Sequence, residues 1–159
     1  IKQETRLRIN HALELFLNSL CELAVAKVSE HGDFSQGNIL LGDNDRVYVT
    51  DWEFYGEEGE ALFDFVFFLI TNSVNSCSPN SFQRSFLGQG KYSLILRTLT
   101  LEFAKQRGLP LQLITRAVPY VLLRCIERTG FGEDNVHLTA AHYTELLKVW
   151  SAVPFVTNR

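Results

Sequence analysis

Apolar residues recur along the first stretch of the chain near helical spacing. Leu7, Leu13, Phe16, Leu17, Leu20, Leu23, Ala24 and Val28 predict a single core-facing helix over residues 4–29. The period then changes. Ile39-Leu40-Leu41 and Val47-Tyr48-Val49-Thr50 read as two short strands, and Gly42-Asp43-Asn44-Asp45-Arg46 between them is rich in residues that tolerate turn geometry, so a hairpin is expected. Phe63 to Asn72 reads as a buried helix whose aromatics pack rather than bind a cofactor. Residues 71–90, with Ser73, Asn75, Ser76, Ser78, Pro79, Asn80, Ser81 and Gly88, are expected to be the least regular stretch, connecting helices. Three more helices follow: about 91–106, stopped by Gly108 and Pro110; about 111–128, with a kink expected at Pro119; and about 137–151. No repeat or boundary interrupts them, so residues 1–159 read as one domain, mainly α with a small β hairpin.

A chain of 159 residues buries roughly 70% of its unfolded surface, enough for one core. Fifteen basic against eighteen acidic residues leave a formal charge of −3 without a basic cluster, which argues against nucleic acid and anionic membrane as partners. The apolar run from Phe63 to Ile70 is too short to span a bilayer and contains Asp64, and no signal peptide is visible. The three cysteines, Cys21, Cys77 and Cys125, are odd in number and lack metal-site or disulfide-scaffold spacing. They read as reduced thiols of a cytoplasmic protein, two of them expected in helical core positions. The chain begins at Ile1 and contains no Met, and is expected to be a piece of a longer protein.

The candidate chemistry lies in His31-Gly32-Asp33-Phe34-Ser35-Gln36-Gly37-Asn38 and in Val47-Tyr48-Val49-Thr50-Asp51-Trp52-Glu53. A hairpin with its base at Asn38 and Asp51 would bring one neutral and one charged hard oxygen together, a pair suited to magnesium that keeps its other positions for phosphate and water. Asp33, on the loop before the hairpin, is the carboxylate to meet a substrate hydroxyl and its proton. Taken singly, each of these residues is equally at home in turns and caps; the joint spacing with the two strands is what points to a kinase-type site. Glu53 reads either as a further metal or supporting group or as a polar residue leaving a strand. Asp64 is a charge in an apolar run and is expected to accept backbone amides. Glu57, Glu58 and Glu60 read as a solvated charge run in a Gly-flanked loop, with recognition of a cationic acceptor as the other reading. His137 and His142 are five apart on the last helix and do not share a metal-binding face. Gly88-Gln89-Gly90-Lys91 lacks phosphate-loop spacing and reads as a loop entering a helix.

The pattern H-x-D-x-x-x-x-N is a kinase catalytic-loop signature, but Gly32 stands where protein kinases have Arg, and Asp51-Trp52-Glu53 where they have Asp-Phe-Gly. With these departures the two segments resemble those of the aminoglycoside phosphotransferase and choline kinase family, which read H-G-D-x-x-x-x-N and I/V-D-W/F-E/D. The resemblance is most specific over residues 31–70 and implies the carboxy-terminal lobe of a protein-kinase-like fold. It implies ATP as phosphate donor with Mg2+, Asp33 as the catalytic carboxylate, and Asn38 and Asp51 as metal and cofactor ligands. It further implies that His31 packs behind the loop and that Asp64 braces the loop from the following helix. The acceptor would be a hydroxyl of a small molecule, in a range from aminoglycosides and choline to sugars, thiamine and homoserine. Neither the phosphate-covering loop nor the strand Lys of such enzymes is recognisable, so a missing amino-terminal lobe of the parent chain is an expected partner. Alone, this lobe is expected to be inactive and to self-associate through its uncovered face. The alternative is a pseudokinase-like binding or scaffold module without catalysis.

Overall fold

Ile9, Ala12 and Phe16 repeat at three- and four-residue intervals, and helix α1 (Gln3–Glu22) turns that stripe inward. The computed structural model describes residues 2–23, 27–60, 62–75, 91–130 and 140–152. The expected first helix is too long. From Lys27 to its expected end at residue 29 it belongs instead to a strand, β1 (Lys27–Glu30), antiparallel to β4 (Gly56–Glu60), with Val28 opposite Gly59 and Glu30 opposite Gly56. Val28, Ser29 and Glu30 are half-buried, exposed and buried in turn, a period of two that sets the strand apart from the helix before it.

The hairpin forms where expected. Strands β2 (Ile39–Leu41) and β3 (Val47–Val49) pair antiparallel with Ile39 opposite Val49 and Leu41 opposite Val47. Gly42 closes the turn by donating its amide to the Arg46 carbonyl at 2.8 Å. Asn44 and Asp45 bear the turn's left-handed backbone at φ 62° and 59°, a conformation that short polar side chains tolerate.

Among the described residues four further helices build the body: α2 (Phe63–Asn75), α3 (Lys91–Arg107), α4 (Leu111–Gly130) and α5 (Ala140–Ala152). Helix α2 runs past its expected end at Asn72 to take in residues 73–75 of the stretch expected to be irregular; residues 76–90, with Cys77, lie outside the described residues, as does His137. A Schellman motif ends α3: Leu109 donates to the Ala104 carbonyl at 2.9 Å and Gly108 to that of Lys105 at 3.3 Å, with Gly108 at φ 65°. Helix α4 runs unbroken through the buried Pro119, which denies the Thr115 carbonyl its helical partner. The core joins the inward stripes of these helices: Phe16 from α1, Phe63, Val66 and Ile70 from α2, Ala117, Val121 and Leu122 from α4, and Tyr143 and Leu146 from α5. Phe65 of α2 stacks on Phe103 of α3 with centroids 3.9 Å apart. Among the described residues the chain is thus mainly helical with two small strand pairs, one pair more than expected. Cys125 belongs to the core, whereas Cys21 is exposed, because its position on α1 falls outside the inward stripe. Among the described residues no single helix is long and apolar enough to cross a membrane.

Candidate active site

The loop from His31 to Asn38 joins β1 to the hairpin, and its backbone is held by side chains from elsewhere. Asp64, in the first turn of α2, accepts the His31 amide at 2.6 Å on one oxygen and the Gly32 amide at 2.9 Å on the other. Gly32 sits at φ 84°, and a Cβ built there would stand 2.5 Å from the Phe54 carbonyl oxygen, so both its dihedral and its space demand glycine. His31 is buried at 3% exposure. Its Nε2 lies 2.8 Å from the Thr50 carbonyl oxygen, and its Nδ1 accepts the Asp33 amide at 3.2 Å. A carbonyl can only accept and an amide N–H only donate, so the proton is on Nε2. With both nitrogens engaged by backbone, the ring ties the loop to the end of β3 and offers no base to a substrate.

Asn38 closes the loop on itself. Its Nδ2 donates to the Asp33 carbonyl at 2.8 Å and to the Asp33 carboxylate Oδ2 at 3.0 Å. Both partners are acceptors, which determines the orientation of the amide and turns Oδ1 away from Asp33. The Asn38 carbonyl receives the Thr50 amide at 3.0 Å, the hydrogen bond at the hairpin base. One residue on, Asp51 is exposed and holds φ 63°. Such a left-handed residue at the end of a strand redirects both chain and side chain, and strain of this kind collects at functional sites.

Asp33 and Asp51 line the same cavity of about 270 Å³, together with Glu53 and Phe54. Phe67 from α2, Cys125, Arg128 and Thr129 from α4, and Tyr143 from α5 complete its lining. Burial pushes the Cys125 thiol up to about 12 against the opposing effect of the Arg128 charge. Burial likewise raises the Tyr143 phenol, with Cys125 and Asp33 adding to the effect. Both groups therefore keep their protons near neutral pH.

A magnesium ion shared with phosphate needs only one or two protein carboxylates and keeps several water or phosphate ligands. Asp51, which lines the cavity with Glu53, and the Oδ1 of Asn38, which is not part of that lining, are of the type that sparse, all-oxygen requirement asks for. Among the described residues no group of three His, Cys, Asp or Glu side chains could hold a metal ion unaided.

Behind the loop lies an ion-pair cluster that the sequence pattern did not reveal. Glu30 is 3% exposed and pairs with both nitrogens of Arg124, at 2.9 and 3.0 Å. Arg124 also donates to Glu60 at 2.9 Å and lies 4.0 Å from the centroid of the Phe63 ring. Burial works against its charge, but the hydrogen bonds and attraction of Glu30 prevail and its pKa is raised. Burial pushes the Tyr120 phenol up to about 12, with Glu60 adding to the shift. The Glu30 side chain crosses directly over Gly59, where a Cβ would meet it at 2.2 Å. The acidic run at Glu57, Glu58 and Glu60 is therefore strand and not loop: Glu58 pairs with Lys27 at 2.6 Å and Glu60 with Arg124, leaving Glu57 exposed. Two arginines four residues apart beside the buried Val121 and Cys125 were the available signal, since an arginine brought near a core needs an anionic partner. No protein-family model, no curated protein and no solved structure matches the chain.

Proposed function

We propose that this chain is the carboxy-terminal, catalytic lobe of a small-molecule kinase, moving the terminal phosphoryl group of ATP to a hydroxyl of its acceptor. The observation that carries the reading is the convergence of Asp33 and Asp51 on one cavity, with Asn38, at the base of the hairpin, hydrogen-bonded back to Asp33 within the loop. Phosphoryl transfer asks little covalent chemistry of a protein; it asks for positioning and for charge in the right place. Asp33 would orient the acceptor hydroxyl and take its proton as the oxygen attacks phosphorus. Asn38 and Asp51 would hold magnesium, which when bound neutralises charge on the phosphate oxygens. Asn38 also holds the Asp33 carboxylate through its Oδ2. The aromatic and aliphatic atoms of Phe54, Phe67 and Tyr143 shape the cavity.

In this reading the adenine pocket and the cover over the phosphates belong to a second lobe. Both faces of the hairpin expose large apolar side chains, Leu40 with its cross-strand partner Tyr48 and Leu41 with Val47, which suits a surface that another body covers. The buried, free Cys125 and the exposed, free Cys21 accord with the reducing conditions of the cytoplasm.

The test is paramagnetic. Trace Mn2+ added with ATP to the 15N-labelled chain should broaden amides of residues 32–38 and 49–53 before all others. Asp51→Ala should abolish that pattern, whereas Asp33→Asn should keep it, because Asp33 is not assigned to the metal. Broadening centred elsewhere, or unchanged by Asp51→Ala, refutes the assignment.

A further inference from the structure

Gly32 is held at both of its backbone groups by opposite charges. Its N–H goes to the Asp64 carboxylate, and its carbonyl oxygen accepts Nη1 of Arg128 at 2.5 Å. The Gly32 carbonyl belongs to the peptide that ends at the Asp33 nitrogen, so Arg128 grips the bond leading directly into Asp33. Arg128 comes from α4, 96 residues further along the chain. It is itself fixed from three sides: its guanidinium lies 5.0 Å from the Phe63 ring centroid and 5.5 Å from that of Phe54, and its Nη2 is 3.7 Å from a Glu30 oxygen. Glu30 is in turn anchored by Arg124, one helical turn before Arg128. Arg128 also lines the cavity that Asp33 lines.

From this geometry we infer that Arg128 is a positioning residue for the Asp33 carboxylate, an assignment that rests on the reading of Asp33 as the group meeting the acceptor hydroxyl. A rotation of the Gly32–Asp33 peptide would swing the Asp33 Cα–Cβ bond. Three restraints oppose it: the Arg128 bond to the carbonyl, the His31 bond to the amide on its other side, and the Asn38 bond to the carboxylate. Of these only Arg128 lies outside the loop and hairpin, and it ties the direction of Asp33 to the helical body. A planar fork is what the place requires, since one nitrogen meets the carbonyl, the other turns toward Glu30, and the faces lie on aromatic rings. An ammonium would supply the charge without that geometry.

The experiment follows the 13Cγ signals of Asp33 and Asp64 and the Gly32 amide in selectively labelled protein, comparing the natural chain with Arg128→Met and Arg128→Lys. Arg128→Met should split or broaden the Asp33 carboxyl and Gly32 signals while leaving the Asp64 carboxyl in place. Arg128→Lys should restore a single Asp33 signal only in part. General loss of stability lowers the melting temperature without moving the folded-state Asp33 signal, so this readout separates positioning from support. An Asp33 signal in Arg128→Met that superimposes on the natural one overturns the inference. Should Arg128→Met fail to fold, Arg128→Lys decides in the same way, superposition again overturning it. Failure of the kinase reading would show separately, as Mn2+ and ATP bypassing Asp51 in the natural chain, and the Asp33 signal in the variants would still decide whether Arg128 directs that carboxylate.

Discussion

Replacing Asp64 by Ala removes the side chain that accepts both the His31 and the Gly32 amides, at 2.6 and 2.9 Å. Hydrogen bonds to a charged partner contribute about 1.5–3 kcal/mol each, which gives about 6 kcal/mol as a ceiling for the pair. Two features lower that figure: Asp64 is half-buried and Gly32 borders the cavity, so water can reach part of what the mutation frees. The His31 amide, in a residue 3% exposed, is the harder one to rehydrate. A loss of about 3 kcal/mol is expected, which for a domain of this size lowers the melting temperature by about 6–12 °C. Urea unfolding followed by circular dichroism should show a lower midpoint with an unchanged slope, because the surface exposed on unfolding stays the same. Asp64→Asn keeps one acceptor but aims an NH2 group at the other amide, so it should recover no more than about half of the loss. A loss under about 1 kcal/mol in Asp64→Ala, or an Asp64→Asn protein as stable as the original, would refute the claim that this carboxylate holds the loop.

Gly32→Ala should cost more than about 2 kcal/mol, since it adds a left-handed strain to a contact with backbone that cannot move aside, and a melting temperature within a few degrees of the original would contradict this. Arg124→Ala leaves Glu30 buried without its two-pronged partner and should destabilise by about 3–5 kcal/mol in urea titrations; a loss below about 1 kcal/mol would show that water reaches Glu30. Stability should fall on the alkaline side: the Cys125 thiol keeps its proton to about 12 in the folded chain but releases it near 9.0 when unfolded, so each pH unit in that window favours the unfolded state by up to about 1.4 kcal/mol. Cys125→Ala should flatten the decline of the urea midpoint between pH 9 and pH 11, leaving the part due to Tyr120 and Tyr143, whose phenols are also raised; an identical slope in both proteins would count against the buried thiol. In Mn2+ titrations with ATP, Asp51→Ala should weaken binding more than Asn38→Ala, because the first deletes a charged oxygen and the second a neutral one, and higher metal concentration should rescue Asn38→Ala better. Superimposable titrations of both variants and the natural chain would refute the proposed metal assignment.

The parts of the molecule legible in the chain are those governed by local spacing. Helices α2, α3, α4 and α5 follow from apolar periodicity and from Gly108 and Pro110, and the hairpin follows from two β-rich runs around a turn of Gly, Asp and Asn. The same local pattern singled out Asp33, Asn38 and Asp51, which lie within 19 residues of one another, so a single hairpin suffices to gather them. Asp64 stood out as a charge in an apolar run, and the two amides it accepts are the reason the run tolerates it.

What escaped the sequence pattern depends on partners far along the chain. Lys27 to Ser29 look helical by continuity with α1; they join strand β1 because Gly56–Glu60 lies beside it and because Glu30, its last residue, finds Arg124, 94 residues later. Local propensity is weak over four residues, and pairing overrides it. The acidic run at Glu57, Glu58 and Glu60 carries no sign in the sequence of being a strand edge whose charges meet Lys27 and Arg124. Arg128 illustrates the same limit at the site itself, since nothing near it in sequence indicates that its guanidinium reaches the Gly32 carbonyl. The sequence by itself determined which residues could perform chemistry, because oxygen donors and turn formers act over short spacing; only the tertiary structure decided how they are held, because an ion pair or a backbone clamp depends on distances that packing alone sets.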